Sequence, residues 1–172
     1  MITLKDIFIT YWNQITILLF GVGFLIKWIL DIRAKKNEIN YNLFQQKRLD
    51  AVNTFFANYS KTDHLWKNSM VWDILENKIN ATEIDNILSP ILSEIQRNTL
   101  ELQIYFTEKE HKIFSKISEN IHSINGKLQV LYFSNLNTSE KSKEFIVFRE
   151  EKSIENNKLF WDLSHLLKKT FK

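Results

Sequence analysis

The sequence predicts an all-α protein, with one N-terminal transmembrane helix that continues as a long rod into a cytoplasmic helical bundle. Three observations carry this. Residues Ile7 to Leu30, IFITYWNQITILLFGVGFLIKWIL, are mostly apolar and, at about 1.5 Å rise per residue, long enough to cross a ~30 Å hydrocarbon core. The chain of 172 residues holds only 3 Gly and 1 Pro, and Gly21 and Gly23 lie inside the apolar stretch, which leaves little turn chemistry for anything but long helices. Further along, apolar residues recur at helical steps of three and four with no run of alternating strands.

Residues 1–32 are read as the N-terminal tail and transmembrane helix. Its centre, Ile15 to Ile26, is interrupted only by Thr16, and Tyr11 and Trp12 at one end and Trp28 at the other are membrane-interface anchors of the aromatic-belt kind. The polar residues follow one another at helical steps: Asp6, Thr10, Asn13, Thr16, then Phe20, Gly23 and Lys27 share one stripe, while Ile15, Leu18, Leu19, Val22, Leu25 and Ile29 occupy the rest. Polar groups are costly against lipid, so the stripe of Asn13, Thr16, Phe20, Gly23 and Lys27 is expected to face a partner helix or a water-filled space. No second stretch of comparable length exists in the sequence, so the partner helix is another copy of the chain. The alternative is that Asp6 and Lys27 snorkel to opposite interfaces, with Asn13 and Gln14 in the headgroup layer.

Basic residues orient the span. Lys27, Arg33, Lys35, Lys36, Lys47 and Arg48 lie downstream, against Lys5 and the α-amino group upstream. The positive-inside rule therefore places the N-terminus outside and the C-terminal domain in the cytoplasm. A cleaved signal peptide is the competing account, but Lys27 interrupts the apolar run and no small-residue cleavage site follows.

Residues 33–60 are read as a juxtamembrane stalk helix that continues into the bundle, with Leu49, Val52, Phe56 and Tyr59 on its apolar side. The rod from 7 to about 60 would span on the order of 80 Å. Its first part, Arg33 to Arg48, is rich in basic residues and suits anionic headgroups or a plain solvated face.

Residues 61–172 form the bundle. A polar break at Ser60 to Asp63 precedes a short helix in HLWKNSMVWDILENKI, with Leu65, Trp66, Val71, Trp72, Ile74 and Leu75 on one face, expected to fold back on the rod. Asn80-Ala81-Thr82 breaks the pattern, Thr82 caps a turn that ends at Leu88, and Ser89-Pro90 starts the next helix, with Leu92, Ile95, Leu102 and Phe106 inward. Thr107 before Glu108-Lys109-Glu110 starts another, held by Phe114, Ile117, Ile121, Ile124, Leu128 and Leu131 through Gly126 to about Ser134. Thr138 caps the last helix, whose inward residues are Phe145, Phe148, Leu159, Leu163 and Leu166. Lys168, Lys169 and Lys172 sit at its dipole-negative end. Residues 145–148, FIVF, could instead be a short strand.

The composition narrows the chemistry. There are 0 Cys, so disulfides and thiolate chemistry are excluded. The net charge of +3 is spread along the chain and forms no compact basic stripe for nucleic acid. His64, His111, His122 and His165 show no metal-ligand spacing, and no phosphate loop or nucleophile elbow is present. No catalytic residue, metal site or cofactor is assigned, and the chain is read as not an enzyme.

One N-terminal membrane helix, a long rod and a compact helical cytoplasmic domain together resemble the small single-pass bacterial membrane effectors of anti-phage defence, nearest the oligomeric ion-channel effector of the Hailong system. The resemblance covers architecture over the whole length, with Ile7 to Leu30 and its polar stripe as the specific residues. It implies a homo-oligomeric pore in the plasma (inner) membrane, gated by a nucleotide or oligonucleotide signal, and it transfers no ligand site. The expected function is a membrane channel or membrane-disrupting effector whose stripe faces the symmetry axis, with Phe20 as hydrophobic gate and Lys27 at the cytoplasmic mouth. The alternative is a membrane-tethered scaffold that docks a cytoplasmic protein partner without passing ions.

Overall fold

A computed structural model describes the backbone of residues 4–170. The side chains of Asp6, Ile7, Ile15 and Lys169, and Lys172 altogether, lie outside the described residues. The chain is all-helical, in the order α1 (Leu4–Lys67), α2 (Ser69–Leu75), α3 (Ala81–Tyr105), α4 (Glu108–Tyr132) and α5 (Thr138–Thr170). No strand occurs among the described residues, and residues 145–148 lie within α5. Two compact units are present, Met1–Lys47 and Arg48–Lys172.

In the first unit α1 departs from helical dihedrals at Tyr11, with φ −112 and ψ 15. Among the described residues one helix, α1, is long and apolar enough to cross a membrane, and none of its most apolar window is buried. Phe20, Ile17 and Phe24 are each 70% or more exposed.

The second unit is a bundle in which α4 packs against α2, α3 and α5. Its core holds Phe55, Ile95, Leu102, Phe114, Ile121, Phe145 and Leu163, all without exposure. Phe114 is the hub. Its ring meets Phe55 edge-on at 5.1 Å and Phe106 at 5.2 Å between centroids, the offset and edge arrangements that ring quadrupoles favour. A second aromatic group joins α1 to α5, where Phe160 lies 5.3 Å from Phe56 and 4.6 Å from Tyr59.

Several boundaries differ from the sequence reading, each for a local reason. The break expected at Ser60 to Asp63 falls instead at Asn68: Thr62 and Trp66 are buried on the core side of α1, and the Thr62 hydroxyl is satisfied within the helix by donating to the Asn58 carbonyl at 2.8 Å. The buried side of α1 here runs through Arg48, Ala51, Val52, Phe55, Asn58, Thr62 and Trp66, and Leu49 stays exposed. Helix α2 packs chiefly on α4 and α5, where the sequence reading had it folding back on the rod.

Helix α3 begins earlier than Ser89. Asn80 is its cap, the Asn80 side chain accepting from the Glu83 N–H at 3.0 Å while Glu83 accepts from the Asn80 N–H at 3.2 Å. Pro90 sits inside this helix. Proline removes one backbone donor there, and its counterpart carbonyl, at Asn86, lies on the exposed side where water can take it. Leu88 and Ile95 hold the buried side on either side of the proline.

Helix α4 starts at Glu108, where Thr107 was expected to begin it, and Thr107 and Glu110 form a capping box there. Helix α5 is capped one residue earlier than Thr138, since the Asn137 side chain accepts from the Glu140 N–H at 3.0 Å and Glu140 returns the bond at 3.2 Å.

Candidate functional site

The candidate site lies in the first unit. Thr16, Phe20, Gly23 and Lys27 line one open groove of about 500 Å³, together with Trp12, Leu19 and Phe24. Helical spacing brings these side chains together because four residues advance the helix by little more than one turn. Asn13 is exposed and does not line the groove, although it lies one turn below Thr16. Trp12, read from sequence as an interface anchor alone, is part of the groove wall, and Leu19 and Phe24 join it. Their shared face with the stripe is visible only once side-chain volume is drawn. Tyr11, Trp12 and Trp28 are each more than half exposed, and Trp12 and Trp28 stand about 24 Å apart along a regular helix.

The groove's polar content is smaller than the stripe implied. The Thr16 hydroxyl donates to the Trp12 carbonyl at 2.8 Å, so it satisfies itself one turn back and needs no second chain. The side chains of Asn13 and Lys27 make no ion pair or hydrogen bond among the described residues. Gly23 forms the notch between Phe20 and Phe24, and a Cβ built there would meet nothing within 4 Å. Within its own chain, therefore, nothing requires glycine, which costs a helix interior about 1 kcal/mol relative to alanine.

The bundle carries polar groups that periodicity did not reveal. Arg48 lies 3.8 Å from Glu110 with both side chains buried, and its guanidinium covers the Phe106 ring at 4.2 Å. Glu110 also accepts from the Thr107 N–H at 3.0 Å and hydroxyl at 2.8 Å, so one carboxylate serves the α4 cap and the ion pair. Two buried amide pairs cross between helices: Asn58 donates to Asn98 at 2.5 Å and Asn120 to Asn156 at 2.8 Å. A sequence reading that sorts residues into apolar and polar sends all of these to the surface.

Two of the histidines bond backbone carbonyls of the bundle. His111 bonds the Thr99 carbonyl through Nε2 at 2.8 Å, and His122 bonds the Ser118 carbonyl through Nδ1 at 2.8 Å. Among the described residues no group of three or more His, Asp or Glu could hold a metal ion. Glu76, first, and then Asp73 hold the exposed Lys78 ammonium above its usual range, and Lys152 holds the Glu155 carboxyl below its own.

No protein-family model, curated protein or solved structure matches the chain.

Proposed function

We propose that the protein is a non-enzymatic, homo-oligomeric membrane channel or membrane-disrupting effector, gated by its cytoplasmic helical domain. The observation that carries this reading is the groove over Gly23. A glycine with no steric reason in its own chain, flanked by two exposed phenylalanines on an unburied apolar helix, suits close approach by the same helix of another copy. In the assembled ring Phe20 narrows the path and closes it by dewetting. Lys27 at the cytoplasmic mouth repels cations and favours anions.

In this reading the chain is single-pass in a bacterial inner membrane, N-terminus outside, and acts in anti-phage defence. α1 carries both the membrane segment and the first bundle helix, and a nucleotide or oligonucleotide signal bound by the bundle shifts the pore through it. Gating requires that signal to bind the two states with different affinity.

Planar-bilayer conductance tests the reading, together with the oligomeric state of the detergent-solubilised chain. Phe20→Ala is expected to raise resting leak and Lys27→Glu to shift selectivity toward cations. A monomer in detergent, or unchanged leak and selectivity in both variants, removes the channel.

A tethered scaffold is the second reading. It is favoured by apolar side chains left exposed on the bundle, Leu100, Ile104 and Trp161, each at least 59% exposed, which offer contact to a cytoplasmic protein. It predicts partner binding by the bundle alone and no depolarisation by the full chain.

A further inference from the structure

The bundle contains a cavity of about 190 Å³ where the end of α2, the start of α3 and the end of α4 meet. Ile74, Ile84 and Leu128 supply an apolar floor, and all three are buried. Tyr132 and Phe133 form one wall, their rings nearly perpendicular with centroids 4.9 Å apart, and Phe133 is 73% exposed at the edge. Asp85 is the one charged side chain in the lining. Neither its carboxylate nor the Gln129 carboxamide beside it makes a hydrogen bond or ion pair among the described residues. Lys141, whose ammonium reaches the Tyr132 carbonyl at 3.2 Å and the Asn77 side chain at 3.1 Å, is not part of the lining.

These features define a ligand chemistry. An apolar cavity of about 150 Å³ is enough to hold benzene, so the space takes one ring or a group of similar bulk. A formed apolar pocket with a few converging polar groups is the usual form of a small-molecule site. Aromatic faces attract cations, and a lone carboxylate at the rim supplies the opposite charge. An anion would meet Asp85 with no lining cation to offset it. We propose that this cavity binds a small organic cation, a protonated amine or quaternary ammonium of about one ring in size, with its apolar part on Ile74, Ile84 and Leu128 and its charge between Asp85 and the Tyr132–Phe133 pair.

The inference stands on the bundle alone and does not depend on the membrane reading, because its test measures binding and not conductance. Benzyltrimethylammonium is titrated into the full chain in detergent, with benzyl alcohol as the neutral control, and methyl resonances of Ile84 and Leu128 are followed by NMR. The cation is expected to saturate with a dissociation constant about tenfold below that of benzyl alcohol. Asp85→Asn removes most of that difference and leaves benzyl alcohol unchanged. Ala81→Leu, which adds bulk to the cavity wall while keeping a good helix former, abolishes both titrations. The proposal is overturned if the cation shows no saturable shift, if the alcohol binds as tightly as the cation, or if Asp85→Asn leaves the cation's affinity within about twofold.

Discussion

The membrane-compatible segment and the bundle treat the same residue types in opposite ways. Phe20 and Phe24 in the first unit are 76% and 70% exposed, whereas Phe55, Phe114 and Phe145 in the second have no exposure at all. Polar residues invert with them. Asn13 is exposed, but Asn58, Asn98, Asn120 and Asn156 are buried and paired across helices. Burying a phenylalanine contributes about 1.5–3 kcal/mol, so the bundle's folding is carried by its own aromatic core, while the apolar surface of α1 requires another environment to cover it. Hydrophobicity alone does not tell the two regions apart. What does is whether the chain itself supplies something to bury the apolar side chain against.

The largest effect that sharpens this comparison comes from matched truncations of two phenylalanines. Phe114→Ala removes the ring shared by Phe55 and Phe106 and is expected to destabilise the bundle by about 3–5 kcal/mol. Phe20→Ala is expected to leave bundle stability unchanged, because its ring is exposed in the first unit. Thermal unfolding of the full chain in detergent, followed by circular dichroism, separates the two. If Phe20→Ala lowers the bundle transition as far as Phe114→Ala does, the two regions do not fold on separate grounds.

A smaller effect tests the polar side of the contrast. Asn58→Ala strands the Asn98 carboxamide in a buried site and is expected to cost about 1–3 kcal/mol. Replacing both with leucine should recover most of that loss, since neither partner is then left without a bond. Urea unfolding of the single and double variants measures the difference. A double variant no more stable than the single one would mean that the amide pair is required in its own right.

Legibility in the sequence follows the same division. Helical spacing was sufficient to bring Thr16, Phe20, Gly23 and Lys27 onto one face, and Thr107 with Glu110 announced the start of α4 by residue type. Caps are ambiguous from sequence where two good candidates stand together. Asn137 precedes Thr138, and Asn80 precedes Thr82, and only the reciprocal bonds with Glu140 and Glu83 decide between them. Ser89-Pro90 reads as a helix start because proline suits a first turn, yet both residues lie inside α3, where Leu88 and Ile95 hold the buried side on either side of them. Thr16 looked polar, yet its hydroxyl is spent on the Trp12 carbonyl. The Arg48–Glu110 pair, the amide pairs and the cavity between Ile74 and Phe133 join residues far apart in sequence, so no local pattern announces them.

The finest test of the comparison is electrostatic, because burial in the bundle leaves a titration signature that an exposed charge does not. Burial is the first cause that raises the Tyr59 phenol above its ordinary value of 10.0, Asp63 raises it further, and a hydrogen bond to Asn156 works in the other direction. Ionising a phenol creates charge, so the folded state holds this proton more tightly than the unfolded chain does. The resulting stability is fully present below the unfolded value and is lost as pH rises through the raised folded one. Lys78 acts with the same sign, since Glu76 first, and then Asp73, hold its ammonium above the usual range. The two differ in their response to salt. Lys78 is an exposed charge whose partners are screened at high ionic strength, whereas the cost of ionising the half-buried Tyr59 phenol persists in larger part. The urea midpoint is therefore expected to be level up to about pH 10 and to fall above it. At about 1 M salt, where screening is nearly complete, Lys78→Gln should match the parent, while Tyr59→Phe should fall less steeply than either. If Tyr59→Phe retains the full alkaline decline in high salt, the half-buried phenol is not its source.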